Sequence, residues 1–327
     1  MSRFTFLGLI ACNLVWSANP IASKILVSAF GAESTAWLRT VSAALALVVL
    51  LAFNQLRSKV RLKTSLEFLK KLTLNEWTLL GLLGFFSFSC APLLNMTGLL
   101  SSQATDNILI VSLEPLATVI LARIFIGEAF YFYHFVSFVL ALTGFALLTE
   151  LLPFSKARVI DAHMLGNLVL LLAVIAESVY SLLVKKLQRT LGSMQILSIA
   201  LGLGVVFLTL IVLGWKGRLL NPGAHFELRT FLAILYLGPI GTTLTFWFWT
   251  RTLVQVSVPT IALTLFVQPV IGLILSGFIL HEQVSPAQTL GGALILFAVS
   301  VPLSSGRWQR MGNKLRKLFK SPKKFSI

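Results

Sequence analysis

The chain of 327 residues is 57% hydrophobic and only 12% charged, with a mean hydropathy of +0.89. A soluble domain carries roughly 25% charged residues, so composition excludes a soluble globular fold and leaves most of the chain out of water. The net charge of +16 would suit nucleic acid, but Lys and Arg fall in short blocks between apolar runs, with no basic face; this excludes nucleic acid as a partner and fits the cationic loops of a polytopic membrane protein.

A helix crossing the hydrocarbon core needs roughly 20 mostly apolar residues. In chain order the pattern predicts ten such spans: Phe4–Ala29, Thr35–Phe53, Trp77–Leu99, Thr105–Ile126, Tyr131–Leu152, Gly166–Leu187, Ser193–Leu213, Phe231–Thr250, Val258–Leu280 and Pro286–Leu303. Runs this long and unbroken read as helices, not barrel strands. The first has a short charged lead (Met1–Arg3) and no A-x-A cleavage site, so it is expected to be a retained span and not a signal peptide.

Within the first span, Asn13, Trp16, Pro20 and Lys24 are spaced 3, 4 and 4 apart and share one helical face, with Asn19 on its border. Lys24 has two readings: a partner for an anionic group, or a long side chain reaching the outer interface. Arg39, near the outer end of the second span, has two readings: an ion pair with Glu33 or Asp106, or contact with substrate. Asn95, Asp106 and Asn107 gather where the third and fourth spans meet the outer side, in gating or in capping.

Glu114 falls nine residues into the fourth span, roughly 13 Å at 1.5 Å per residue, near the middle of the bilayer. Pro115 follows and predicts a kink there. An ionisable residue in a span is costly and is a functional candidate by default. Glu114 is either a cavity carboxylate for a cationic group or a proton, or a protonated group bonded to nearby backbone. Glu177 sits about as deep in the sixth span, with Tyr180 and Ser181 at i+3 and i+4 on the same face; this polar stripe is expected to face the bundle interior. Trp247, Trp249 and Arg251 close the eighth span and read first as an interfacial aromatic belt, with a cavity lining as the other reading. Glu128 and Glu282 close the fourth and ninth spans as loop elements.

Charge sets the orientation. With the N-terminus inside, twenty Lys and Arg fall on the inner side and five on the outer (Lys156, Arg158, Lys216, Arg218, Arg229). Both termini are therefore expected in the cytoplasm, with the chain in the cell's inner (plasma) membrane. Beyond residue 306 the tail interleaves Trp308, Met311, Leu315, Leu318 and Phe319 with Lys and Arg, which predicts an amphipathic helix on the anionic inner leaflet. Cys12 and Cys90 both lie in apolar runs and suggest neither a disulfide nor a metal site. The four histidines are too scattered for one. No P-loop, HExxH or G-x-S-x-G pattern occurs, so neither cofactor nor catalysis is expected.

An internal repeat orders these elements. Glu114–Pro115 precedes Gly127–Glu128, and Gln268–Pro269 precedes His281–Glu282; the step from Pro to the second Glu is thirteen residues both times, at an offset of 154. Asn19 and Lys24 are matched by Tyr180 and Lys185, again five apart. Five spans per half, an odd number, make the halves face opposite ways, as in many secondary transporters. The expected fold is all-α: ten transmembrane helices as two inverted five-helix repeats (1–152 and 153–305) around a central cavity, followed by the tail 306–327.

The segments LVWSANPIASK, AWLR, LEPLATVILARIFIGE and LFVQPVIGLILSGFILHEQVSPAQTLGGALIL resemble the drug/metabolite transporter superfamily, specifically its EamA-type members. The resemblance covers nearly the whole chain and implies ten helices, cytoplasmic termini, a cavity between the halves, and export or uptake of small metabolites. It also carries most of the case for a functional Lys24. One departure is Gln268, which stands where the first half has Glu114. The expected function is secondary transport of a small polar metabolite, with Trp16, Asn19, Lys24, Glu114, Glu177, Tyr180 and Gln268 as pathway residues. Mixed charge suits an amino acid or its derivative, and protons are a candidate co-substrate. A flippase for a lipid-linked or isoprenoid substrate, an enzyme acting on such lipids and a non-transporting scaffold are the rival readings.

Overall fold

The computed structural model describes residues 3–58, 69–102, 107, 110–127, 131–148, 162–221, 226–271 and 286–303. The tail 306–327, Asp106, Glu128 and Glu282 lie outside them. The described residues are helical with no strand. Among the described residues, six helical stretches are long and apolar enough to cross a membrane: Phe4–Phe30, Ala32–Phe53, Leu74–Ser101, Leu165–Leu187, Ser193–Lys216 and Leu228–Leu253. Three shorter apolar helices, Phe132–Leu147, Val258–Ile271 and Thr289–Ala298, accompany them.

Several of these rods are broken, and the breaks have local causes. The first consists of α1 (Arg3–Ser17) and α2 (Asn19–Phe30), parted at Ala18. Pro20 supplies no N–H, so the Trp16 carbonyl loses its helical donor there. Gly31, at φ +80°, turns the chain into α3 (Ala32–Ser58). The next rod is α4 (Leu74–Phe85), a π-helical turn π1 (Phe86–Cys90) and α5 (Ala91–Ser101). Thr73 and Glu76 start α4 with a reciprocal capping box, each satisfying a free N–H of the first turn. A second π-helical stretch, π2 (Tyr236–Leu244), lies between α10 (Leu228–Leu235) and α11 (Thr245–Leu253) and contains Pro239.

The remaining elements are α6 (Glu114–Ile126), α7 (Phe132–Leu148), α8 (Ala162–Leu187), α9 (Ser193–Lys216), α12 (Val258–Leu263) with a 3-10 turn over Thr264–Phe266, and α13 (Pro286–Leu303). Where a continuous fourth span with a kink was expected, α6 begins at Glu114 itself, after a turn at Ser112–Leu113. Pro115 is the reason, sitting in the first helical turn where its missing N–H costs nothing.

Packing runs α7 against α13, α8 against α5 and α6, α9 against α4, and α3 against π2. The main core gathers Leu80, Leu83, Phe88, Tyr180, Leu197, Phe246 and Trp249. Large apolar side chains also point outward: Leu45, Val48 and Val49 on α3, and Leu210 on α9, are each more than 60% exposed. A water-soluble monomer does not expose apolar surface on this scale; lipid solvates it at no cost. Helices in lipid must instead approach closely to bind. At Gly84 an added Cβ would stand 2.7 Å from the Ala200 carbonyl, and at Gly238 it would stand 2.9 Å from the Ala43 nitrogen.

A central cavity where the broken helices meet

The α1/α2 break and the start of α6 meet at one cavity that opens to solvent. Trp16, Ser17, Asn19, Pro20 and Ser23 enter from the α1/α2 junction, and Arg39 from α3. Glu114 enters from the start of α6, and Glu177, Tyr180 and Ser181 from α8. Phe246 and Trp249 come from α11, and Gln268 and Pro269 from the segment after the 3-10 turn. One guanidinium and two carboxyl groups thus share a space walled by aromatic rings. Arg39, Glu114 and Glu177 are half-buried, and no hydrogen bond reaches either carboxylate from a side chain among the described residues.

The aromatic wall is an interlocked set. Trp16 lies 5.1 Å from Trp249 and 5.6 Å from Phe246, and Tyr180 lies 4.7 Å from Phe246 and 5.8 Å from Phe88. Their polar ends are also held. The Trp16 Nε1–H donates to the Gly241 carbonyl (2.9 Å), the Trp249 Nε1–H to Ser181 Oγ (3.1 Å), and the Tyr180 hydroxyl is bonded to Thr250. Bonded tips on rings buried against one another make a rigid wall.

Six of the seven residues expected in the pathway line this cavity: Trp16, Asn19, Glu114, Glu177, Tyr180 and Gln268. Gln268 Nε2 donates to Asn13 Oδ1 (3.1 Å), and Asn13 donates to the Leu9 carbonyl (2.8 Å) and Thr264 Oγ1 (3.3 Å), so the face predicted through Asn13 and Trp16 has one inward and one buried member. Asn19 Oδ1 is buried with no hydrogen-bond partner, and it fits only because position 241 is glycine, whose Cβ would stand 2.9 Å from it.

Lys24 is the exception. Its side chain is exposed and does not line the cavity; Nζ donates to the carbonyls of Leu99 (2.8 Å) and Ser102 (3.3 Å) at the end of α5. Pro20, one turn earlier on the same helix, does line the cavity, so it is the long Lys24 side chain, drawn to the end of α5, that leaves it. Arg39 departs the other way. Glu33, one of its two expected partners, bridges to Lys216 at 3.2 Å, while Arg39 Nε donates to Thr242 Oγ1 (3.1 Å) and the side chain lines the cavity. Trp249 likewise leaves the expected interfacial belt for the cavity wall, whereas Trp247 stays beside Arg251, 5.9 Å from its guanidinium carbon. Asn95 and Asn107 face each other at 3.4 Å, also lining the cavity.

The model of the EamA-like transporter family matches the chain twice, over residues 3–150 and again over 164–303. The chain belongs to the EamA-like transporter family. As a member it is a multi-pass membrane protein and a membrane transporter, consistent with the drug/metabolite transporter superfamily. A curated relative, the uncharacterized transporter YdfC of Bacillus subtilis (strain 168), is 25% identical over 218 residues, covering 67% of this chain and 68% of its own. A solved crystal structure of another protein superposes with a TM-score of 0.69 over 92% of this chain and 97% of that one, at 17% identity. That likeness is one of fold, and it extends over nearly the whole of this EamA-like chain.

Proposed function

We propose that the chain is a secondary transporter of a small polar metabolite bearing both a cationic and an anionic group, such as an amino acid or a derivative. It works by alternating access between two inverted five-helix halves, 1–152 and 153–305, in the cell's inner membrane with both termini cytoplasmic. The observation that carries the substrate reading is the cavity's charge set: Arg39 facing the same space as Glu114 and Glu177, inside an otherwise apolar body. Three ionisable groups at such depth are costly unless they pair with one another or with something bound between them, and a guanidinium facing two carboxyls leaves room for a ligand's cationic group. The guanidinium suits a carboxylate or phosphate, the Glu side chains suit an ammonium, and the aromatic wall suits an apolar body.

Element positions support the inverted halves. Ala32 and Ser193, which begin α3 and α9, are 161 positions apart. Leu74 and Leu228, and Phe132 and Pro286, which begin later helices, are 154 apart. Shifted by 154, π1 falls on residues 240–244 of π2, and the tight crossing at Gly84 falls on Gly238. Two halves of opposite sense around one site provide two mirror-related conformations.

The experiment is flux of a panel of radiolabelled amino acids and derivatives into proteoliposomes holding the full chain. Glu177→Gln and Glu114→Gln should each reduce flux of the transported compound by tenfold or more, on the order of 1.4 kcal/mol per tenfold. Intact flux in both variants would remove these residues from the site. Proton coupling through either carboxyl predicts that an imposed pH gradient drives uptake; indifference to the gradient defeats the coupling alone.

A further inference from the structure

Two ammonium groups make the same pair of bonds in two places. Lys24 Nζ donates to the carbonyls of Leu99 (2.8 Å) and Ser102 (3.3 Å), and Lys185 Nζ donates to those of Leu253 (2.6 Å) and Val256 (3.0 Å). The lysines are 161 positions apart, the spacing of Ala32 and Ser193; both acceptor pairs are 154 apart, the spacing of Leu74 and Leu228. The last carbonyls of a helix lack intrahelical partners and form the negative end of its dipole, so an ammonium is their natural counterpart.

The position of these ends gives the bonds a consequence. The segment clamped by Lys24 is α5, which follows π1; the segment clamped by Lys185 is α11, which follows π2. A π-helical stretch is a weak point in the ladder at which a rod can bend. The helices bearing the lysines carry the cavity wall: Asn19 lies five residues before Lys24, and Tyr180 five before Lys185. Neither lysine lines the cavity.

We infer that Lys24 and Lys185 are paired positioning residues, each tying the hinged end of one broken helix to the helix that carries cavity side chains, at opposite faces of the membrane. This rests on the reading of two inverted halves. A swing at π1 then carries Asn19, Pro20 and Ser23 with it, and a swing at π2 carries Glu177 and Tyr180, so that bending is converted into movement of the site.

The test needs no substrate. In a Cys12→Ser, Cys90→Ser background, Ser17→Cys places a thiol in the cavity. Its reaction with impermeant (2-sulfonatoethyl) methanethiosulfonate is timed in right-side-out and inverted vesicles. Lys24→Met should change the rate from one face by roughly tenfold, the weight of a charged hydrogen-bonded contact, and leave the other within about twofold of the starting chain. Lys185→Met should do the same at the opposite face, and Lys→Arg at either position, which keeps the donors, should restore the rate. Both methionine variants acting on the same face, or neither acting, overturns the pairing. A thiol that reacts from one face only in the lysine-intact chain defeats alternating access instead. The clamp is then judged, as it is where a variant does not fold, by acetylation of the wild-type chain with sulfo-N-hydroxysuccinimidyl acetate. Lys24, exposed but twice bonded, should react about tenfold more slowly than exposed Lys186; equal rates overturn the clamp.

Discussion

The indole N–H of Trp16 donates to the carbonyl of Gly241, 2.9 Å away and 225 positions along the chain. The bond joins two irregularities, the break at Ala18 and π2, and it connects the family's first matched segment to its second. Gly241 O also accepts from Thr245 Oγ1 (2.8 Å), so losing the indole does not orphan it. Trp16→Phe should therefore cost only about 1 kcal/mol of stability, read as a small fall in Tm of the detergent-solubilised chain. Trp16→Ala removes the ring contacts to Trp249 and Phe246 as well and should lower Tm further.

Arg39 allows a sharper separation of charge from geometry. Its Nε–H is fixed by Thr242 Oγ1 at 3.1 Å, and Thr242 is itself held by the Leu237 carbonyl at 2.8 Å. A guanidinium so oriented presents its remaining donors as a fork. Arg39→Lys should keep the charge but lose the fork, raising KM for the transported compound several-fold. Arg39→Gln should raise it by tenfold or more, about 1.4 kcal/mol. Equal KM in both variants and in wild type would assign Arg39 to structure alone.

The contrast between Arg39 and Lys24 marks what a linear reading of this chain can reach. Glu177, Tyr180 and Ser181 share a face of one unbroken helix, so the periodicity read from sequence survives in the structure and all three line the cavity. Lys24 shares a face of α2 with Pro20, which lines the cavity, but it lies one turn further on. A long flexible side chain then decides its own contacts, at carbonyls 75 and 78 positions away. Arg39 is visible in sequence as a charge in an apolar run, but its direction depends on how π2 packs against α3. The π stretches leave almost no periodic trace; Pro92 after π1 and Pro239 with its flanking glycines are the local cues.

The two close crossings make a matched prediction. At Gly84 the obstacle to a side chain is backbone, the Ala200 carbonyl at 2.7 Å and the Gly204 nitrogen at 3.0 Å. At Gly238 the nearest atom is Ser42 Oγ at 2.0 Å, with the Ala43 nitrogen behind it at 2.9 Å. Alanine at either position forces helices apart, at a cost of about 1–3 kcal/mol. The Ser42→Ala change should recover part of the loss in Gly238→Ala, because one obstacle is a side chain, and none of it in Gly84→Ala. Thermal unfolding of the three single variants and the two double variants with Ser42→Ala, in detergent, reads the outcome.

Asn19 carries the least intuitive expectation. Its Oδ1 is buried at the cavity wall without a hydrogen-bond partner, and an unsatisfied buried acceptor costs roughly 1–3 kcal/mol. Such an acceptor at the cavity wall is a ready partner for a donor on the ligand, and the ammonium proposed to be held by Glu114 and Glu177 is such a donor. Asn19→Ala should therefore leave Tm unchanged or raise it, while raising KM for the transported compound. Stability and transport would then move in opposite directions, as they do where a site is held ready at the expense of the fold. A fall in Tm with KM unchanged would mean that the carboxamide serves packing, and the acceptor role would be lost.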